Sequence, residues 1–270
     1  MFSIITPTFN RQNIISNSID SSISFLNELN DNSEIVVIDD ASTDGTEDFL
    51  KQKYRTFITN KKILFSRSNN NLGVTGAKNL GAKLANNKWL IFLDSDDELL
   101  PNSTSIINSV IKSNLTADAI FFRCLDSNNE FVGKKIENSF NLKNINHFLI
   151  HGTYGECLPV IKKTIFLNYL YDEDLRGFEG LSYLRMLKDK VNIHISKFPT
   201  RKYSLIGTDR LSTRINLFKR SNYIFLGYLR YFKESHGYSS FYTKIFILKK
   251  IIKYSVLCII NYPLRKIFNI

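Results

Sequence analysis

The chain is poor in cysteine: Cys124, Cys157 and Cys258 are scattered, odd in number and without metal-ligand spacing. A disulfide framework is therefore excluded, and free thiols in a reducing compartment are expected. The four histidines, His147, His151, His194 and His236, also lack ligand spacing, so no histidine metal centre is expected. No run of about 18 uninterrupted apolar residues occurs, which argues against a membrane-spanning helix. Met1-Phe2-Ser3-Ile4 leads straight into a strand-like run with no basic segment before it, so no secretory signal is expected. Internal repeats and low-complexity linkers are missing too. Acid is scarce at the end of the chain: from Arg214 onward eleven Lys and Arg residues face only Glu234, so ten of the eleven net positive charges lie there. What is present is ordinary for a soluble globular protein, with 270 residues, 43% hydrophobic and 23% charged.

Hydrophobic pattern organises the first hundred residues. Phe2 to Thr6 reads as a strand stopped by Pro7, and Ile15, Ile19, Ile23 and Leu26 mark a helix over Ile14 to Leu29. Glu34 to Ile38 is a second strand, with a helix from Thr46 to about Tyr54 behind an N-capping turn. Lys62 to Ser66 is a third strand, Thr75 to Ala85 a helix rich in small residues, and Trp89 to Leu93 a fourth strand. Strands alternating with helices at this spacing predict βαβ units and a mainly parallel sheet with flanking helices. Further on, a helix is predicted from Pro101 to Ser113, strands over Ala119–Phe122 and Leu158–Ile161, and short helices over Thr164–Tyr171 and Leu181–Leu187. Val191–Phe198 and Tyr203–Ile206 read as two closing strands, while residues 130–156 carry no clear period.

Two of the buried strands end in acids: Asp39-Asp40 after the second, and Asp94-Ser95-Asp96-Asp97 after the fourth. Neighbouring carboxylates repel, and partial burial penalises their charged form, so either a divalent metal or a neighbouring Lys or Arg compensates them there, or the acids after the fourth strand form a solvated turn that caps the next helix at Pro101. Ligands of open α/β sheets collect at these carboxyl ends. Gly73, Gly76 and Gly81 do not have the dinucleotide-binding spacing, and the first strand-to-helix junction has no glycine, which excludes that fingerprint.

Four motifs in order resemble the family 2 inverting glycosyltransferases of the GT-A fold. They are Thr6-Pro7-Thr8-Phe9-Asn10-Arg11; Val36 to Thr46 with its Asp39-Asp40; Asn71-Leu72-Gly73 with Ala77-Lys78-Asn79; and Leu93-Asp94-Ser95-Asp96-Asp97. The resemblance covers residues 1–115 strongly and 155–215 loosely. It implies a nucleotide-sugar donor, UDP-linked by preference, with Thr6, Pro7, Asn10, Asp39, Lys78, Asp94 and Ser95 around it. It also implies that Asp94 and Asp96 hold Mg2+ or Mn2+ at the donor diphosphate. Asp39 is implied to accept hydrogen bonds from the base edge, Asp40 either takes part in the site or only caps the following turn, and Asp97 either shares the metal or caps the next helix. Lys78 departs from the family's more usual Arg and supplies a point charge without bidentate geometry.

An inverting transfer also needs a general base for the acceptor hydroxyl. The family places a Glu-Asp pair before a helix, the Asp being the base; here the pair is Glu179-Gly180, which leaves Glu179 as the candidate. Asp174 stands behind it. Thr208 to Ser212, with Asp209 and Arg210, follows the last strand, where relatives often place a basic residue. The expected organisation is a catalytic domain over 1–213, its nucleotide-sugar half over 1–115 and its acceptor half over 116–213. A basic, aromatic-rich helical tail follows over 214–270. A helix over Lys244 to Ile260 sets Lys249, Lys250 and Lys253 beside a wide apolar surface, a pattern suited to an anionic membrane. Nucleic acid is not an expected partner, and an oligomer remains open. The reading is a transferase at the cytoplasmic membrane face, acting on a lipid-linked glycan in O-antigen or capsule assembly. The alternative is a weak or inactive nucleotide-sugar-binding protein that scaffolds membrane enzymes.

Overall fold

The computed structural model describes residues 1–29, 32–204 and 214–268. In chain order the first half runs β1 (Phe2–Thr8), α1 (Ile15–Asn27), β2 (Glu34–Asp39), α2 (Thr46–Lys53), α3 (Arg55–Thr59), β3 (Ile63–Arg67), α4 (Gly73–Leu84), β4 (Trp89–Phe92), β5 (Glu98–Leu99) and α5 (Ser103–Ser113). Then come β6 (Ala119–Leu125), β7 (Phe140–Leu142), α6 (Ile145–His151), β8 (Cys157–Lys162), α7 (Lys163–Phe166), a 3-10 turn over Glu173–Leu175, α8 (Gly180–Lys188) and β9 (Ile193–Lys202). Three helices close the chain: α9 (Arg214–Lys219), α10 (Ser221–Ser235) and α11 (Phe241–Phe268).

One sheet carries the molecule, in the order β3-β2-β1-β4-β8-β6-β9-β5, with β7 on β9. Its first four strands are parallel, as expected from the βαβ spacing. Beyond β4 the sheet is mixed, because β8 runs antiparallel to both β4 and β6. Every residue of β1, β2 and β4 is buried, since helices cover both faces. One core lies under α1 and α5 with Ile4, Ile35 and Ile91; the other lies under α4 and α8 with Ile5, Phe92 and Leu184.

Of the two closing strands expected over Val191–Phe198 and Tyr203–Ile206, the first is β9, which runs on through Pro199 to Lys202. Proline has no N–H for the ladder, and the β6 register shifts where Arg123 faces Pro199. Residues 203 and 204 lie past the strand's end, and 205–213, which hold Asp209 and Arg210, fall outside the described residues. The unperiodic stretch 130–156 contains β7 and α6. The basic segment packs against the preceding part of the chain: Arg230 of α10 pairs with Asp172 at 2.8 Å, and Arg185 of α8 pairs with Glu234 at 2.7 Å. Among the described residues no helix is long and apolar enough to cross a membrane.

Candidate active site

Parallel register brings the ends of β2, β1 and β4 side by side, with Thr8 opposite Asp39 and Ile5 opposite Phe92. A cavity of about 900 Å³ opens above them. Pro7, Asn10, Lys78, Asp94, Ser95, Asp96 and Glu179 all line it, so most of the expected site residues share one space.

Two expected residues do not line it. Thr6 is fully buried within β1, below the strand end whose Pro7 and Thr8 line the cavity. Asp39 is fully buried as well, and its oxygens are occupied: Arg67 Nη1 donates to Oδ2 at 2.6 Å and the Ser42 amide donates to Oδ1 at 3.2 Å. Asp40 is the acid that reaches the cavity wall. Its carboxylate accepts from the amides of Leu72 and Gly73 at 2.8 and 2.9 Å, tying β2 to the start of α4 rather than to the following turn. That turn is capped by Asp44, which accepts from the Thr46 amide at 3.0 Å. Asn79, grouped with Lys78 in the motif, also turns away from the cavity. Its Oδ1 accepts from the Tyr171 amide at 3.0 Å and its Nδ2 donates to the Tyr171 carbonyl at 2.9 Å, which anchors the segment leading to Glu179.

Lys78 is the centre of the site. It is buried on α4, and its Nζ lies 3.0 Å from Asp94 Oδ1 and 3.2 Å from Glu179 Oε1. Burial alone would lower the amine's pKa, but Asp94 and then Glu179 outweigh it and hold the ammonium well above lysine's usual range. Burial works against charge on Asp94 too; Lys78 and Arg201 reverse that and hold its carboxyl below the usual value. One cation therefore joins the acidic end of β4 to the acid that precedes α8.

Asp97 has a different partner. Leu99 of β5 pairs with Arg201 of β9, which sets the fully buried Arg201 guanidinium 3.1 Å from Asp97 Oδ2. The Ser204 amide donates to Asp97 Oδ1 at 2.9 Å. Burial pushes the Asp97 carboxyl up to about 7 against the pull of Arg201. A native pKa above the unfolded one means that the folded state holds the proton more tightly. The stability contributed by this group is thus complete below about pH 4 and lost as pH rises through about 7. The unfolding temperature of the wild type, measured against Asp97→Asn between pH 5 and 8, is expected to fall more steeply; parallel curves would contradict this.

The residues present fit a divalent ion. Asp94 and Asp96 offer hard oxygens to the cavity, and Asp94 Oδ1 is buried without a well-aligned hydrogen bond although Lys78 is near. No group of three metal-binding side chains occurs among the described residues. Mg2+ is commonly held by one or two carboxylates together with substrate phosphates, so two suffice.

The far wall was not foreseen. Arg220, Tyr223 and Tyr228 of the closing helices line the cavity, with Tyr254 of α11 stacked on Tyr228 at 5.7 Å. Their aromatic and basic spacing was visible in the sequence, but not the face that turns inward. Gly180, where the family's acid is missing, has a steric reason. A Cβ there would stand 2.0 Å from Tyr231 Oη of α10. Similarly, a Cβ on Gly227 would stand 2.6 Å from the ring of Phe178. The absent side chains are the sockets that seat α10 against the loop bearing Glu179.

Residues 3–165 match the model of "Glycosyl transferase family 2". The GalNAc(5)-diNAcBac-PP-undecaprenol β-1,3-glucosyltransferase of Campylobacter jejuni is 30% identical over 232 residues, which cover 84% of this chain and 71% of that protein. The UDP-Glc:α-D-GlcNAc-diphosphoundecaprenol β-1,3-glucosyltransferase WfgD of Escherichia coli is 28% identical over 82% of this chain and 83% of its own length. Among solved structures, S. aureus TarS 1–349 in complex with UDP-GlcNAc superposes with a TM-score of 0.65 at 15% identity, covering 95% of this chain and 72% of that one. The mannosyltransferase PcManGT of Pyrobaculum calidifontis, in complex with GDP-Man and Mn2+, gives 0.62 at 14% identity, over 86% and 64%. The chain belongs to glycosyl transferase family 2, built on the GT-A fold, and its class of reaction is glycosyl transfer.

Proposed function

We propose that this chain transfers a sugar, with inversion, from a UDP-linked donor to a hydroxyl of a lipid-linked glycan during surface-polysaccharide assembly. The observation that carries the reading is the Lys78 ammonium held between Asp94 and Glu179 in one cavity. The names of the two glucosyltransferase relatives, both acting on undecaprenol-diphosphate-linked glycans, support the acceptor class, and the UDP-Glc named for the second supports the donor.

In this reading the nucleoside lies against Pro7, Asn10 and Asp40 and its diphosphate toward Lys78 and Asp94, all of which line the cavity. A diphosphate that draws the ammonium toward itself frees Glu179 from its ion pair. Glu179 then accepts the proton of the acceptor hydroxyl as that oxygen forms its bond to the anomeric carbon. The bond from that carbon to the diphosphate breaks, and the nucleoside diphosphate departs with the bonding pair. A Mg2+ or Mn2+ ion held by Asp94 and Asp96 would neutralise charge on the departing diphosphate. The test is incubation with UDP-glucose, UDP-galactose or UDP-N-acetylglucosamine and an undecaprenyl-diphosphate-linked glycan. One added hexose or N-acetylhexosamine, β-linked from an α-linked donor, is the expected product; an α-linked product would overturn the inverting mechanism.

The place of reaction is the inner face of the cytoplasmic membrane. The outward face of α11 exposes Phe241 (80%), Ile252 (61%) and Ile259 (73%), flanked by the exposed Lys249 and Lys253. An apolar stripe edged with lysine suits an anionic surface. Co-sedimentation with phosphatidylglycerol vesicles, lost in phosphatidylcholine and in the Ile252→Glu, Ile259→Glu double variant, is the expected result. Equal binding to both vesicle types would count against it.

A further inference from the structure

Glu156 is a carboxylate that the reaction above does not use, yet the surrounding chain is arranged to present it. It immediately precedes β8, at a crossing of two backbone segments. Gly155 (φ +131) passes Gly133 (φ +100) so closely that a Cβ on Gly133 would stand 2.4 Å from the Tyr154 carbonyl oxygen. A Cβ on Gly155 would stand 2.3 Å from the Val132 carbonyl oxygen. No other residue type fits either position.

Beneath the crossing lies Arg123 of β6, fully buried. Its guanidinium donates to the carbonyls of Thr153 and Tyr154 at 2.9 Å each, Lys134 at 3.0 Å and Val132 at 3.2 Å. It makes no ion pair to a carboxylate among the described residues. Burying a cation is costly, and here its donors serve to pin the two crossing segments together. What this platform holds toward the cavity is Glu156, its side chain 49% exposed and its Oε2 3.5 Å from Arg201 Nη2.

Adjoining the main cavity, and sharing Glu156, Lys78, Asp94 and Glu179 with it, is a second one of about 280 Å³ that Thr153 and Tyr231 also bound. It is smaller than the roughly 300–1,000 Å³ of drug-sized ligand sites, so it has room for one sugar ring and none for a nucleotide. An ionised carboxylate only accepts hydrogen bonds, through two oxygens, and can serve two neighbouring hydroxyls at once.

We propose that Glu156 is a specificity residue: it accepts hydrogen bonds from the hydroxyls of a pyranose ring seated in this second cavity, beside Lys78 and Glu179. The inference rests on the reading that a sugar is transferred. That sugar belongs either to the donor or to the acceptor, and the chemistry of recognition is the same.

The test compares wild type, Glu156→Ala and Glu156→Gln in three assays. These are binding of UDP alone, release of UDP from each of the three UDP-sugars in water, and transfer to the lipid-linked glycan. A site built to bond hydroxyls loses heavily when that bond is removed. Glu156→Ala is expected to lower kcat/KM by about 100-fold or more, with UDP binding unchanged and part of the loss restored in Glu156→Gln. Equal losses in water and in transfer assign the ring to the donor; a loss in transfer alone, carried by the acceptor KM, assigns it to the acceptor. The proposal is overturned if both variants bind UDP normally and use every sugar at wild-type rates and in the wild-type order of preference. A wild type that releases UDP from no donor and transfers nothing would instead refute the parent reading, and this inference with it.

Discussion

Glu179→Ala is expected to lose transfer by about 10²–10⁴-fold, the range that a positioned general base contributes. UDP affinity is expected to stay within a few-fold, because in the proposed mechanism Glu179 serves the acceptor hydroxyl rather than the nucleotide. The size of the loss follows from geometry. Glu179 precedes α8 at the cavity, its Oε1 is held by Lys78 at 3.2 Å, and Gly180 beside it offers no second carboxylate. Asp174 is no substitute, since both its oxygens are bonded to Arg230. A Glu179→Ala enzyme with unchanged kcat would mean that another group takes the acceptor proton.

Gly180→Ala is the second large effect, and its sign distinguishes a seat for α10 from a mere lost acid. If Gly180 were only the remnant of a missing carboxylate, adding a methyl group would be harmless. The Cβ would instead collide with Tyr231 Oη at 2.0 Å, while Cζ of the same ring would be 3.3 Å away. Overpacking of this kind costs about 1–3 kcal/mol, and it would also shift the loop that carries Glu179. Gly180→Ala is thus expected to lower both unfolding free energy and kcat. Tyr231→Phe, which removes only the colliding oxygen, is expected to restore most of each in the double variant. Because the two positions touch, their effects should be strongly non-additive. Additive losses would separate α10 from the catalytic loop.

The parts of the site read from sequence were those that follow from strand ends and helix turns. β2 and β4 are apolar runs that stop in acids, and parallel pairing must bring those ends together, so Asp94, Asp96 and Lys78 meet in one cavity. Which of two adjacent acids faces the cavity depends on the pleat of the strand, and that is why Asp40 lines it and Asp39 does not. The clue was present: β3 ends in Arg67, which pairs directly across from Asp39 and takes its carboxylate at 2.6 Å. Glu156 had no such signal. Its position depends on two glycines crossing and on Arg123 beneath them, contacts made between residues about 10 to 30 positions apart without any period. In the basic helices, composition revealed aromatics and lysines. Only packing separates Tyr228 and Tyr254, which turn toward the cavity, from Phe241 and Ile252, which face outward.

In the proposed nucleotide-sugar site, the acids that end β2 and β4 flank the end of β1, Lys78 bridges Asp94 and Glu179, and a divalent ion completes the set. Thermal unfolding with UDP-glucose, UDP-galactose and UDP-N-acetylglucosamine, each with Mn2+ or with EDTA, addresses it directly, since a ligand that binds only the folded state raises its apparent stability. The expected result is an unfolding temperature raised by at least one UDP-sugar with Mn2+, reduced by EDTA and abolished in Asp96→Asn. A folded wild type whose unfolding temperature responds to none of them, with or without the metal, would contradict the account.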